Sequence, residues 1–202
     1  MPIITPERAS ELTDWNQTLK AEADCLLYGH GLLAALQKYG RACITGSYYL
    51  DTMAWRDLDL YVDCTDMNSE DPFRLAYDVS AAIKPHRISY QLHENTPGLP
   101  RGIYFGIQSN VLSANTWKID LWLIGADLYA EYITNSKKLK ARINSNARLR
   151  ILEIKSAVWS HPQYRSDFTS MDIYSAVLDN GVGSVDAFVH WLYSCKSIEI
   201  QL

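Results

Sequence analysis

The stretch ACITGSYYLDTMAWRDLDLYV, residues 42–62, decides how this chain is read. Ala42-Cys43-Ile44-Thr45 is a short, β-prone apolar run that stops at Gly46-Ser47, and Leu58 to Val62 alternates in the manner of a strand. A short helix through Tyr48-Tyr49-Leu50 is expected between them. Residues two apart in a strand point to one face, so Asp57 and Asp59 present carboxylates side by side while Leu58 and Leu60 face the opposite, apolar layer. Two parallel carboxylates repel unless a cation lies between them, which points to a hard, oxygen-seeking ion such as magnesium. A third acid, Asp120, falls in Trp117-Lys118-Ile119-Asp120-Leu121-Trp122-Leu123, a run too apolar for a casual surface charge, and is expected beside the first pair on an adjacent strand.

Each of these residues also has a plainer reading. A lone Asp-x-Asp is most often a solvated turn or strand end, and Asp120 could be a structural partner of Lys118 or Arg56. The order of strand, Gly-Ser, short helix, Asp-x-Asp strand and a later strand with one more Asp is what favours a site. Three converging carboxylates suit a two-metal transfer centre. Gly46 allows phosphates to approach the backbone, and Ser47 can donate a hydrogen bond to them at the start of a helix.

Outward from this stretch, Glu7 to Leu19 and Ala21 to Tyr39 have apolar residues at helical spacing, with Gly40 as a stop. Asp71-Pro72 opens a helix to about Lys84, with Asp71 able to cap it. Strands are expected over 87–92, 102–108 and 117–124, and helices over 127–143, 147–159, 171–178 and 185–194. The order predicts an α+β fold: a core with a mixed sheet and flanking helices over residues 1–126, then a helical subdomain over 127–202.

The chain has 202 residues, 48% hydrophobic and 21% charged, enough to bury a full core. Its net charge of −4 gives no global pull toward nucleic acid or anionic membrane, so phosphate recognition needs a local basic cluster. Lys137, Lys138, Lys140, Arg142, Arg148, Arg150 and Lys155 offer one. Lys137, Lys138 and Arg142 read as a solvated helix face, whereas Lys155 is flanked by Ile151, Leu152, Ile154, Ala157 and Val158, so its stem should be packed and its ammonium directed at a specific partner. Cys25, Cys43, Cys64 and Cys195 form no Cys-x-x-Cys pair and read as buried thiols. Residues 1–8 lack a basic segment followed by an apolar stretch, and no apolar run is long enough to span a bilayer, so a cytoplasmic protein is expected.

Thr45-Gly46-Ser47, the spacer Tyr48 to Arg56 and Asp57-Leu58-Asp59-Leu60 together resemble the signature of the DNA polymerase β-like nucleotidyltransferase superfamily, and Lys118-Ile119-Asp120-Leu121 is similar to the strand that brings its third acid. The resemblance implies that Asp57 and Asp59 ligate two magnesium ions, with manganese as a substitute, that Asp120 ligates one and helps activate the acceptor, and that Ser47 binds a terminal phosphate. In the helical half, Arg150 to Ala157 and Tyr164-Arg165-Ser166-Asp167 with Asp172 are similar to small bacterial nucleotidyltransferases, including the abortive-infection toxin type. That similarity implies that Lys155 contacts the triphosphate, although the gap between Asp167 and Asp172 is wider than the pattern. The implied reaction moves a nucleoside monophosphate from a nucleoside triphosphate such as ATP to an acceptor hydroxyl or phosphate, releasing pyrophosphate. A small-molecule acceptor is favoured over tRNA or protein, since no long basic face marks a nucleic-acid track. The alternative is a non-catalytic nucleotide- or partner-binding member, such as a toxin–antitoxin component.

Overall fold

The alternation in Asp57–Asp63 forms a seven-residue strand, β2, in which Leu58, Leu60 and Val62 are fully buried and the residues between them are half-buried. The computed structural model, which describes residues 4–202, places this strand in a five-stranded sheet. Its other members are β1 (Ala42–Ile44), β3 (Arg87–His93), β4 (Gly102–Ser109) and β5 (Trp117–Ile124), in the order β1-β2-β5-β4-β3. β2 and β5 run parallel and every other pair is antiparallel, so the sheet is mixed, as expected. β5 repeats the alternation of β2: Trp117, Ile119, Leu121 and Leu123 are buried while Lys118 and Asp120 are only half-buried.

Eight helices accompany the sheet among the described residues: α1 (Pro6–Asp24), α2 (Leu32–Gln37), α3 (Gly46–Leu50), α4 (Asp71–Ile83), α5 (Ala126–Arg142), α6 (Ser145–Val158), α7 (Ser170–Asn180) and α8 (Val185–Lys196). The helix expected over 21–39 is broken. α1 continues through Asp24, a single π turn covers Cys25–Gly29, and α2 begins after Gly31, whose φ of 77° lies where a glycine is at ease and a helix cannot continue. Asp71 is the first residue of α4 and not its cap; its carboxylate accepts from the Asn68 backbone N–H at 2.9 Å.

Contact, not chain order, divides the protein. One compact unit contains Lys20–Leu50 and Arg56–Lys140; the other takes the N-terminal stretch to Leu19, Asp51–Trp55 and Ala141–Leu202. Tyr129 of α5 packs with Trp122 and Ile124 of β5, which ties most of α5 to the sheet. Arg8 of α1 reaches Glu153 and Ser156 of α6 at 2.8 and 2.9 Å, which ties the N-terminal stretch to the later helices.

In the sheet unit, α4 buries Leu75, Val79 and Ile83 and packs against α2, so the apolar side chains have a dry layer in which to collect. In the helical unit, α6, α7 and α8 bury Ile151, Ile154, Ile173, Ala176, Phe188 and Leu192. Their first turns are capped by Asn144, Thr169 and Ser184, whose side chains accept from free backbone N–H groups. Asp172 completes a capping box with Thr169, and Asp167 accepts from Gln163 at 2.9 Å, so both acids have local structural partners. No helix of the described residues is long and apolar enough to cross a membrane. The four cysteines form no disulfide, but Cys25 and Cys195 are exposed and Cys43 and Cys64 are only partly covered, which corrects the expectation of buried thiols.

Candidate metal centre

The parallel register of β2 and β5 sets Asp57 opposite Lys118 and Asp59 opposite Asp120. Because strand side chains alternate, these four residues share the face away from Leu58, Leu60, Ile119 and Leu121. One carboxylate oxygen from each of Asp57, Asp59 and Asp120 lies within 4.8 Å of the others, and all three residues are half-buried. A magnesium ion bonds oxygen at roughly 2.1 Å, so ligands on opposite sides of it are about 4 Å apart, and this all-oxygen set is near the spacing that such an ion needs. The residues fit a hard divalent cation.

Gly46 closes one side of the cluster. Its φ of 57° lies in the left-handed region, and a Cβ built on it would stand 1.8 Å from Asp59 Oδ2. Only a residue without a side chain lets the backbone lie against this carboxylate. The Thr45 N–H donates to the Asp59 carbonyl at 2.9 Å, which fixes the Gly46 turn to β2, and Ser47 is buried in the first turn of the five-residue α3.

The structure brings two further groups to the acids. Lys118 reaches Asp57 Oδ1 at 3.3 Å and bonds Asp120 Oδ2, so its ammonium spans two of the three carboxylates. Burial pulls this ammonium toward its neutral form, but Asp57, Asp120 and Asp59 together outweigh burial and raise it above the ordinary lysine value. Tyr104 of β4 donates its hydroxyl to Asp120 Oδ1 at 2.6 Å. Burial, and then the hydrogen bond to Asp120, push that hydroxyl well above the ordinary phenol value, so it stays a donor at neutral pH.

Sequence reasoning weighed Lys118 only as a structural partner of Asp120 and missed Tyr104. Nothing local marks Tyr104; its role follows from the register of β4 on β5. Arg56, the other partner considered for Asp120, instead bonds Glu22 through two nitrogens at 2.7 and 2.8 Å, and the Trp117 indole N–H donates to the same Glu22 at 3.2 Å. These bonds secure the residues just before Asp57 and Lys118.

Lys155, in the helical unit, is 1% exposed. Its stem is packed, as its neighbours suggested, and its ammonium donates to the Thr52 carbonyl at 2.9 Å, 5.8 Å from the Tyr174 ring. The Thr52 and Tyr174 hydroxyls are 3.0 Å apart. This network ties Asp51–Trp55 to α6 and α7. The rest of the basic stretch is dispersed: Arg142 pairs with Asp179, Arg148 lies 3.4 Å from Asp51, Arg150 donates to the Gly183 carbonyl, and Lys140 lies 4.2 Å from the Tyr49 ring centroid.

No family model and no curated protein sequence matches the chain. Solved structures do. The Cid1 poly(U) polymerase with Mg and 3'-dATP bound aligns with a TM-score of 0.58 and 12% identity over 86% of this chain and 54% of its own. A second Cid1 structure, described for RNA terminal uridylyl transferase activity, gives 0.59 and 14% over the same shares. Terminal uridylyl transferase 4 from Trypanosoma brucei with bound UPU gives 0.51 and 14%, over 87% of this chain and 60% of its own. The chain therefore spans little more than half the length of these proteins. At such identity the likeness establishes architecture, and the architecture is the α+β nucleotidyltransferase fold that Gly46-Ser47 and Asp57-Leu58-Asp59 implied.

Proposed function

We propose that the chain transfers a nucleoside monophosphate from a nucleoside triphosphate, ATP among the candidates, to an acceptor hydroxyl with release of pyrophosphate. The observation that supports this most directly is the convergence of Asp57, Asp59 and Asp120 on one face of adjoining strands, with Gly46 seated against Asp59. These three carboxylates would hold magnesium or manganese. When bound, such ions neutralise the phosphates and make the acceptor oxygen more nucleophilic. Gly46 borders Asp59, and Gly46 and Ser47 would receive the triphosphate. The acceptor oxygen forms a bond to the α-phosphorus, the bond from that phosphorus to the bridging oxygen of pyrophosphate breaks, and Asp120 takes the hydroxyl proton.

The acceptor proposed is the 3' hydroxyl of RNA, because the solved neighbours are named for poly(U) and terminal uridylyl transfer. The small-molecule acceptor favoured on the absence of a basic face finds no support among them. Lys155 would contact the triphosphate as well, although its buried ammonium also donates to the Thr52 carbonyl.

One observation favours a second reading, a non-catalytic nucleotide- or partner-binding protein. Lys118 already places a cation between Asp57 and Asp120. The test is thermal unfolding of wild type and Asp57→Asn with each triphosphate, with and without magnesium, followed by incubation with an RNA oligonucleotide ending in a 3' hydroxyl or a 3' deoxy group. The transferase reading expects a magnesium-dependent rise in Tm with at least one triphosphate, lost in Asp57→Asn, and lengthening only of the hydroxyl-terminated RNA. No shift and no lengthening would leave the non-catalytic reading standing.

A further inference from the structure

The feature the proposed chemistry leaves unused is on β4. Gly106 is paired directly with Asp120, and Tyr104, two residues earlier on the same face, is paired with Trp122. A tyrosine opposite Trp122 would ordinarily stand straight up from the sheet. Here its ring leans toward Asp120 far enough for the hydroxyl to reach Oδ1 at 2.6 Å. The space it leans into is the one Gly106 leaves open: a Cβ on Gly106 would stand 2.9 Å from the Tyr104 hydroxyl oxygen, 3.2 Å from its Cε1 and 2.7 Å from Ser89 Oγ. Gly106 has no positive φ, so backbone conformation does not demand glycine there, whereas the close approach of the tyrosine does. The ring also lies close to Trp122 and His93, at 4.9 and 6.4 Å between centroids.

We propose that Tyr104 is a positioning residue for Asp120, and that Gly106 is the gap that admits it. This rests on the reading of Asp57, Asp59 and Asp120 as a metal centre. An aspartate with two free torsions presents either oxygen to a cation at several angles; fixing Oδ1 by a hydrogen bond from a packed phenol leaves Oδ2, the oxygen that Lys118 now contacts, as the one offered to the ion. The hydroxyl donates without carrying charge, so it orients the carboxylate and leaves its negative charge for the metal.

The test is Mn2+ titration of the protein without nucleotide, followed by electron paramagnetic resonance, for wild type, Tyr104→Phe and Gly106→Ala. Unfolding midpoints without metal are measured alongside. Tyr104→Phe removes only the hydroxyl, and Gly106→Ala keeps the hydroxyl but drives it from its place, so the two variants perturb one contact by unrelated routes. Both are expected to weaken Mn2+ binding about 10–100-fold, and, where transfer is measured, to lower kcat with little change in KM for the triphosphate. Wild-type Mn2+ affinity in both variants would overturn the positioning role while leaving the metal centre in place. Failure of the wild-type protein to bind Mn2+ at all would overturn the metal centre and the positioning role together.

Discussion

Lys118 and Lys155 are both largely withdrawn from water and both end on oxygen, yet they belong to opposite kinds of polar region. Lys118, on β5, faces Asp57, Asp59 and Asp120, and its ammonium bonds the first and the last of them. Lys155, on α6, donates to a neutral carbonyl within a network of Thr52 and Tyr174. Three carboxylates on one face repel one another and favour a cation among them, whereas an ammonium bonded to a backbone carbonyl helps to specify packing. Neighbouring residues in sequence pointed to Lys155 as the functional lysine and Lys118 as the structural one. The fold gives each lysine a partner that its sequence neighbours did not show, Asp57 for Lys118 and the Thr52 carbonyl for Lys155.

The sharpest break in this contrast should come from Gly46→Ala. The added Cβ cannot stand 1.8 Å from Asp59 Oδ2, and the backbone there has positive φ, so Asp59 must leave the cluster. Mn2+ affinity and transfer are expected to fall on the order of 100-fold or more. Wild-type Mn2+ affinity in this variant would mean that Asp59 is not a ligand.

Lys155→Met addresses the other region. Loss of the ammonium leaves the buried Thr52 carbonyl short of a donor, at a cost of about 1–3 kcal/mol in chemical denaturation, with Mn2+ affinity unchanged. Reduced triphosphate binding at unchanged stability would instead support Lys155 as a phosphate contact and dissolve the contrast.

A smaller effect is expected of Lys118→Met. With the resident ammonium gone, Mn2+ should bind about tenfold more tightly, equivalent to ~1.4 kcal/mol, and the metal-free protein should unfold at a lower temperature because Asp57 and Asp120 lose a bonded cation. Unchanged Mn2+ affinity would show that Lys118 does not compete for the site.

The smallest effect concerns a balanced pair. The Arg56 hydrogen bond, despite opposing burial, holds Glu22 below the ordinary carboxylate value. A lowered folded-state value contributes stability that is fully present above the unfolded value of about 4.3 and is lost as pH falls through the folded one. Wild type should exceed Glu22→Gln by under about 1 kcal/mol at neutral pH, because the pair is partly exposed. That difference should vanish in acid. A difference that persists undiminished at low pH would show that the charge of Glu22 is not its source.

Much of this protein was determined by sequence alone. Alternation in 57–63 and 117–123 assigned acids to one face and aliphatic residues to the other, because period-two burial is a local property of a strand. Gly46-Ser47 ahead of Asp57-Leu58-Asp59 carried the family resemblance that implied the fold, and the close approach of Gly46 to Asp59 then appeared in the structure. What only the tertiary structure decided is pairing across long separations. Asp59 met Asp120, and Tyr104 met Asp120 across the gap at Gly106, through strand registers. Lys155 found Thr52, 103 residues away, and Arg56 chose Glu22 over Asp120. A residue's own neighbours fix which way its side chain faces; what stands opposite it depends on how distant strands and helices come together, and no local pattern encodes that choice.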